Sequence, residues 1–302
     1  MRVSGRQQSE GRSQKSEVRS RQSASLLSSG SCLLSSFSLR RLALIFLALL
    51  FLAALFSERF AGASYAHQFR DFPGAHISWR FPLGTDALGR DRLARLLSAT
   101  RISLLLAPAA AVFSTALATL IGGLAGYRGG LPDRIVTRGI DLMLSLPWIF
   151  LLIAVRALLP LNVSPAASVA VTFALLGALG WAASARVIRA GVRDMRDSDF
   201  LLQARACGCH GYRLLLRQLA PNLKPVLLAQ FWTSIPLFIL SEANLGLLGL
   251  GVSDPLPSWG NLLRELETDL TFNPGIVACL VLMLAVLGCF RVLLPPKSAP
   301  LD

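Results

Sequence analysis

The stretch ISLLLAPAAAVFSTALATLIGGLAGY, residues 102–127, contains no charged side chain. A helix crosses the roughly 30 Å of bilayer hydrocarbon in about 20 residues, so this run predicts a membrane-spanning helix. Along it Ala107, Ala111, Thr115, Thr119 and Gly123 recur every four residues, and Ala110, Ser114, Ala118, Gly122 and Gly126 form an adjacent stripe. Small residues at this spacing let helix backbones approach closely in lipid, which predicts a packed helical bundle. Ala166, Ala170, Ala174, Ala178 and Ala182 repeat the pattern in the run 164–185.

The rest of the chain agrees with a bilayer as solvent. Its 302 residues are 53% apolar and only 16% charged, with a mean hydropathy of +0.56, too few charges for a soluble chain of this length. Further apolar runs predict a first span over 42–57, a third over 140–159 with Pro147 tolerated inside it, a fifth over 225–248 containing Pro236 and a sixth over 274–294. The fold class expected is therefore all-α integral membrane, with about six transmembrane helices. Residues 1–41, rich in Ser, Arg and Gln, read as a disordered basic tail, and residues 295–302 as a second tail. A basic flank, a short apolar run and Ala61-Gly62-Ala63 also describe a cleaved signal peptide; the long leader and the spans that follow favour an uncleaved anchor.

Charge asymmetry orients the bundle. Residues 186–224 carry eight Lys/Arg against three acids, the tail 1–41 carries eight against two, and residues 253–273 carry one Arg against four acids. By the positive-inside rule both termini and the 186–224 loop are cytoplasmic. The segment 58–101 falls outside, yet residues 57–101 hold seven Arg against four acids. Within it Leu88, Leu93, Leu96 and Leu97 share a helical face opposite Arg90, Arg92 and Arg95, which reads as an interfacial helix with snorkelling arginines.

Ionisable groups inside spans mark functional positions because a mid-bilayer charge is costly. Arg156 sits near a span end and can snorkel in a structural role. Asp141 is expected to begin its helix and meet the positive end of the dipole. Glu242 lies deeper, towards the outer end of the fifth span, as a packing group, a loop anchor or a gate.

No intramembrane relay of acids and histidines is present, which weakens an ion-coupled carrier. No Gly-x-Ser-x-Gly, His-Glu-x-x-His or Walker-type loop occurs in the sequence, so no catalytic residue is assigned and ATP chemistry is expected in another chain. Five cysteines show no Cys-x-x-Cys spacing, and Cys207-Gly208-Cys209-His210 has no second pair to complete a tetrahedral site; neither a metal nor another cofactor is expected. The net charge of +13 is spread between apolar runs with no aromatic-laced basic face, which argues against nucleic acid as a partner.

Four stretches in order over about residues 80–265 resemble the inner-membrane permease subunit (C-type) of dipeptide, oligopeptide and nickel importers of the ATP-binding-cassette (ABC) class. They are Leu83-Gly84-Thr85-Asp86 with Leu88-Gly89-Arg90-Asp91; Gly126-Tyr127-Arg128-Gly129-Gly130 with Asp133; Asp199-Phe200 through Ala204-Arg205-Ala206, Gly208 and Leu219-Ala220-Pro221-Asn222; and Leu248-Gly249-Leu250-Gly251-Val252 with Pro257-Ser258-Trp259-Gly260. The third is similar to that family's cytoplasmic Glu-Ala-Ala loop, although this chain has Leu202-Gln203-Ala204 there. The resemblance implies the type I permease fold, with a five-helix core over 102–294. It further implies the bacterial inner membrane as location, and a second permease subunit, two ABC ATPase subunits and an extracytoplasmic solute-binding protein as partners. Asp199, Ala204, Arg205, Ala206, Gly208, Pro221 and Asn222 would form the ATPase-coupling loop. Physically, Ala204 and Ala206 leave room for an approaching surface, Gly208 permits a turn, and Pro221 is expected to stop the next helix short of the membrane. A membrane anchor that has lost transport fits the same residues, given the altered Glu-Ala-Ala segment.

Overall fold

The computed structural model describes residues 38–57, 59, 62–158, 164–209, 211–268 and 274–294. The C-terminal tail and most of the N-terminal tail therefore lie outside the described residues. Helix α1, Ser38–Leu55, begins inside the stretch expected to be disordered.

Asp91 opens the longest helix. Its carboxylate accepts from Leu93 N–H at 2.9 Å, satisfying one of the free amides of a first turn, and from Arg92 the chain runs unbroken to Arg128 as α2, 37 residues. The structure thus differs from the separate interfacial helix expected before residue 102. Arg92–Arg101 is the first part of the spanning helix itself, because nothing in the sequence breaks it: Asp91 caps upstream and helix formers follow. A π-helical segment, Thr119–Gly123, interrupts the regular winding.

The small face of α2 packs as the spacing predicts. Ala107, Ala110, Ala111, Ser114, Thr115 and Ala118 are buried. Gly122 lies so close to the backbone of Ala185 that an added Cβ would stand 2.5 Å from its carbonyl oxygen, and at Gly126 the Arg189 carbonyl would be 2.7 Å away. Both neighbours belong to the helix pair α5 (Pro165–Leu179) and α6 (Trp181–Arg196), which together form one 32-residue span. The second expected stripe behaves differently. Ala166, Ala170, Ala174 and Ala178 are exposed, and the face of α5 that packs inward carries Ser168, Val169, Thr172, Phe173 and Leu176. Facing lipid costs an alanine nothing, because acyl chains are as apolar as a protein core, whereas Ser168 on the inward face finds hydrogen-bond partners in Gly251 and Ser253.

The third span is broken. Helix α3, Gly130–Ser145, meets α4, Trp148–Leu158, at 89°. Pro147 lacks an amide hydrogen and crowds the preceding turn, and Leu146 before it is extended at φ −85°, ψ 133°. The proline expected to be tolerated inside one helix here divides it in two. Trp148 then fixes α4 by donating from Nε1 to Ser241 Oγ at 2.8 Å.

Beyond α6 comes a short helix α7, Asp199–Ala206. Tyr212–Leu214 and a second π-helical segment lead from it into α8, Ala220–Leu247. Helix α9, Trp259–Thr268, and the last span α10, Pro274–Leu293, complete the chain. Among the described residues five helices are long and apolar enough to cross a membrane, or six spans if α3 and α4 count as one.

Two apolar cores stack along the bundle. One gathers Leu96, Phe173, Phe238, Ile239, Trp259 and Val286; the other joins Ala118, Ile140, Ile188, Val192, Leu201 and Leu223. Large apolar residues also cover the outside, among them Val112, Leu120, Leu237 and Leu284, as a lipid-facing surface requires.

Candidate functional site

Helix α7 projects from the end where the second core lies. Leu201 is fully buried and ties it to that core, whereas Phe200, Leu202, Gln203 and Ala206 are exposed and Ala204 and Arg205 half-buried. Asp199 stands in the first turn, where a carboxylate suits the helix dipole. At the other end Cys209 N–H donates to Ala204 O at 3.0 Å and Gly208 N–H to Arg205 O at 2.9 Å. These are the paired bonds of a Schellman cap, which needs a left-handed residue at the turn. Gly208 supplies it at φ +83°. The glycine is therefore required by the backbone angle, and among the described residues, its chain neighbours apart, none comes within 4 Å of a Cβ built there. His210, the last member of the Cys-Gly-Cys-His cluster, lies outside the described residues.

Pro221 does not stop a helix. Helical residues run from Tyr212 through the π-helical segment Leu215–Leu219 into α8 and on to Leu247, and Pro221 lies just past the point where the π winding gives way to α-helix. Asn222, also exposed, donates from Nδ2 to Gln218 O at 2.7 Å and binds the π-helical segment to the first turn of α8.

Asp141 does not begin a helix. It lies in the last half of α3 and pairs with Arg186 of α6, both groups half in solvent. The acid in the first turn is Asp133, which is buried and grips Arg189 of α6 through two bonds, one of them Nη2 to Oδ2 at 2.7 Å. This pair clamps α3 to α6, and it was missed. Arg186, Arg189, Arg193 and Arg196 at helical spacing are the signal that one face of α6 meets acids.

At the opposite end of the bundle Arg90 and Arg95 are buried and do not snorkel. Arg95 Nη1 donates to Asp86 Oδ2 and to Glu265 Oε1, each at 2.8 Å; Arg92 lies 3.5 Å from Glu265 and Arg90 3.5 Å from Asp254. Asp86 is held in turn by the amides of Leu88 and Arg90 at 2.9 and 2.7 Å. Burial pushes the Glu265 carboxyl above its ordinary range, although Arg95 and Arg92 pull the other way. The cluster lines a cavity of about 670 Å³ and accounts for three of the arginines of 57–101: Arg90, Arg92 and Arg95 meet Asp86 and, from after α8, Asp254 and Glu265.

Arg156 is also buried, not snorkelling. Its Nη2 donates to Ser168 Oγ at 3.3 Å, and Ser168 accepts from Ser253 N–H at 3.2 Å, so the structural role stands with a different mechanism. Glu242 is 1% exposed, within α8. Neither carboxylate oxygen makes a well-formed hydrogen bond; Ser258, whose Oγ accepts from Asn261 N–H at 3.2 Å, lies near enough to interact with it. Its enclosure, and its neighbour Ser258 beyond the end of α8, leave packing, loop anchoring and a gate all open for this residue.

Residues 199–208 thus come together on one protrusion, with Pro221 and Asn222 at the root of the helix that follows. Asp141 stands on a neighbouring helix, and Glu242 is at the far end of α8.

Residues 118–294 match the family described as binding-protein-dependent transport system inner membrane component. The chain is 31% identical over 209 residues to the oligopeptide transport system permease protein OppC of Haemophilus influenzae, covering 69% of this chain and 65% of that one. It is 35% identical over 187 residues to a putative peptide permease protein of Brucella suis, 62% of this chain and 60% of the relative. With the glutathione transport system permease protein GsiD of Pectobacterium atrosepticum it shares 35% identity over 212 residues, 68% and 67% of the two chains. The match therefore spans about two thirds or less of these relatives. By the extent of the family match, over more than half its length and through four of its spans, the chain belongs to the binding-protein-dependent transport system inner membrane components.

Proposed function

We propose that the chain is the membrane-spanning permease subunit of an ABC importer that moves peptides or similar small solutes across the bacterial inner membrane. It works with a second permease subunit, two ATPase subunits and an extracytoplasmic binding protein. The observation that carries this reading is α7: a short helix fixed to the bundle by one buried leucine, exposing Phe200 and Leu202, between two helices that run straight into the membrane. Exposed apolar groups on a protrusion of otherwise charged surroundings suit a protein partner. Force applied to α7 reaches α6 and α8 as rigid bodies, the kind of movement that switches a packed bundle between two states. Similarity to peptide and glutathione permeases supports the solute class.

In this reading both termini lie in the cytoplasm with α7. The hydrogen bond from Arg40 to Leu294 O at 3.1 Å, between the start of α1 and the end of α10, supports a shared side.

Reconstitution tests the assignment. The purified chain alone should neither hydrolyse ATP nor take up a labelled tripeptide, and the complete set of subunits should do both. ATP hydrolysis by the clean single subunit would contradict the reading.

A further inference from the structure

Between α3 and α6, beside the Asp133–Arg189 clamp, lies a cavity of about 380 Å³ lined by Arg134, Thr137, Arg138 and Arg193 as well as by the clamp itself. The acids within reach are already engaged: Asp133 by Arg189, Asp141 by Arg186 and Asp197 by Arg196. Among the described residues Arg134, Arg138 and Arg193 make no direct hydrogen bond or ion pair, and Arg193 acts on Asp133 and Asp197 only through space. Three guanidinium groups with their donors free around one concavity make a site for an anion rich in oxygen acceptors, because guanidinium pairs with phosphate oxygens in a planar fork.

The neighbouring surface narrows the ligand. Leu131, Ile135 and Leu142 are 69%, 61% and 68% exposed, and they share with Arg138 one face of α3, with Arg134 beside it. An apolar strip running away from a cationic cavity at the end of a membrane helix fits a molecule with a phosphate head and hydrocarbon tails. Basic pockets between transmembrane helices on the cytoplasmic side bind anionic headgroups in this way. We infer that the cavity formed by Arg134, Arg138 and Arg193 between α3 and α6 binds the headgroup of an anionic phospholipid, whose acyl chains lie along Leu131, Ile135 and Leu142. Its assignment to the cytoplasmic leaflet rests on the topology proposed above; lipid binding itself does not.

Such a lipid would fill the angle between the amphipathic half of the broken span and the helix leading to α7. It would bear on the same α3–α6 contact that Asp133 and Arg189 clamp.

The test uses the full-length chain, purified without partner subunits, so its outcome is independent of transport. Native mass spectrometry after exchange into detergent with phosphatidylglycerol or phosphatidylcholine reads retention of each lipid. Phosphatidylglycerol should be retained selectively. A triple Arg134→Gln, Arg138→Gln, Arg193→Gln variant should bind it roughly a hundredfold more weakly, as expected when three basic groups near the headgroup are lost. A second variant, Leu131→Ser with Ile135→Ser, should lose phosphatidylglycerol while still binding inorganic phosphate. Melting temperature in phosphatidylcholine confirms that each variant is folded. Equal retention of both lipids, or of phosphatidylglycerol by wild type and triple variant alike, would overturn the proposal. Binding of inorganic phosphate without lipid selectivity would reject a lipid source. Unchanged lipid retention by the triple variant, together with loss of ATPase subunits from a parallel preparation of the complete complex, would overturn the proposal and reassign the cavity to a protein partner.

Discussion

Leu201 and Leu202 are adjacent and chemically identical, yet the structure separates them completely. Leu201 is fully buried and Leu202 is half exposed. Leu201→Ala removes the buried anchor of α7 and should destabilise its docking by about 2–5 kcal/mol, seen as proteolysis between α6 and α8. Leu202→Glu places a charge in open space, so abundance should match wild type and co-purification with ATPase subunits should hold or rise; a loss of abundance equal to that of Leu201→Ala would contradict this placement. The two were not separable in sequence, because α7 is only eight residues long and its burial depends on elements far along the chain. Gly208 was legible as a turn, but its reason was not. Sequence suggested a side chain would obstruct; the structure assigns the requirement to φ.

At the scale of helices, the four-residue spacing of small residues on α2 was readable because close packing in lipid depends on residue size at one helical period. Gly122→Val tests it. The new Cβ would meet the Ala185 backbone at 2.5 Å, and overpacking of this kind costs about 1–3 kcal/mol, so membrane abundance and melting temperature should fall. Gly139→Ala, on an exposed face of α3 with no atom near its Cβ, should leave both unchanged or slightly higher; equal damage from both would sink the packing account. The alanine stripe of α5 illustrates the limit of the same reasoning. Periodicity identifies a face but not which face is inward, since lipid accepts alanine as readily as a protein core does, and Ser168 on the inward face has polar partners. Pro147 shows a second limit. In lipid a proline is tolerated or divides a span according to its neighbours, and only the packing of Trp148 against Ser241 fixes the outcome here.

In the whole molecule, contacts between distant segments sort the loops into two ends. Arg95 with Glu265, and Ser168 with Ser253, gather at one; Asp133 with Arg189 and the root of α7 gather at the other. This grouping agrees with the charge asymmetry of the sequence, and it reduces the one discrepancy, since Arg90, Arg92 and Arg95 of 57–101 meet Asp254 and Glu265 across the fold. Topology is checked in a background where Cys207, which is exposed, is the only cysteine: a membrane-impermeant thiol reagent should reach it only from the cytoplasm, and Trp79→Cys in a cysteine-free chain only from outside. Labelling of both from one side would contradict the six-span arrangement. The central claim, that α7 passes the work of separate ATPases to the spans, is tested most directly by ATP-driven uptake in the complete complex, comparing Gly208→Arg with Gly208→Ala. Both carry the same backbone strain, of order 1–3 kcal/mol, and among the described residues, chain neighbours apart, nothing lies within 4 Å of a Cβ at this position. The account predicts that Gly208→Ala retains most of the uptake and Gly208→Arg abolishes it at equal membrane abundance, whereas normal uptake with Gly208→Arg would show that α7 is not the coupling element.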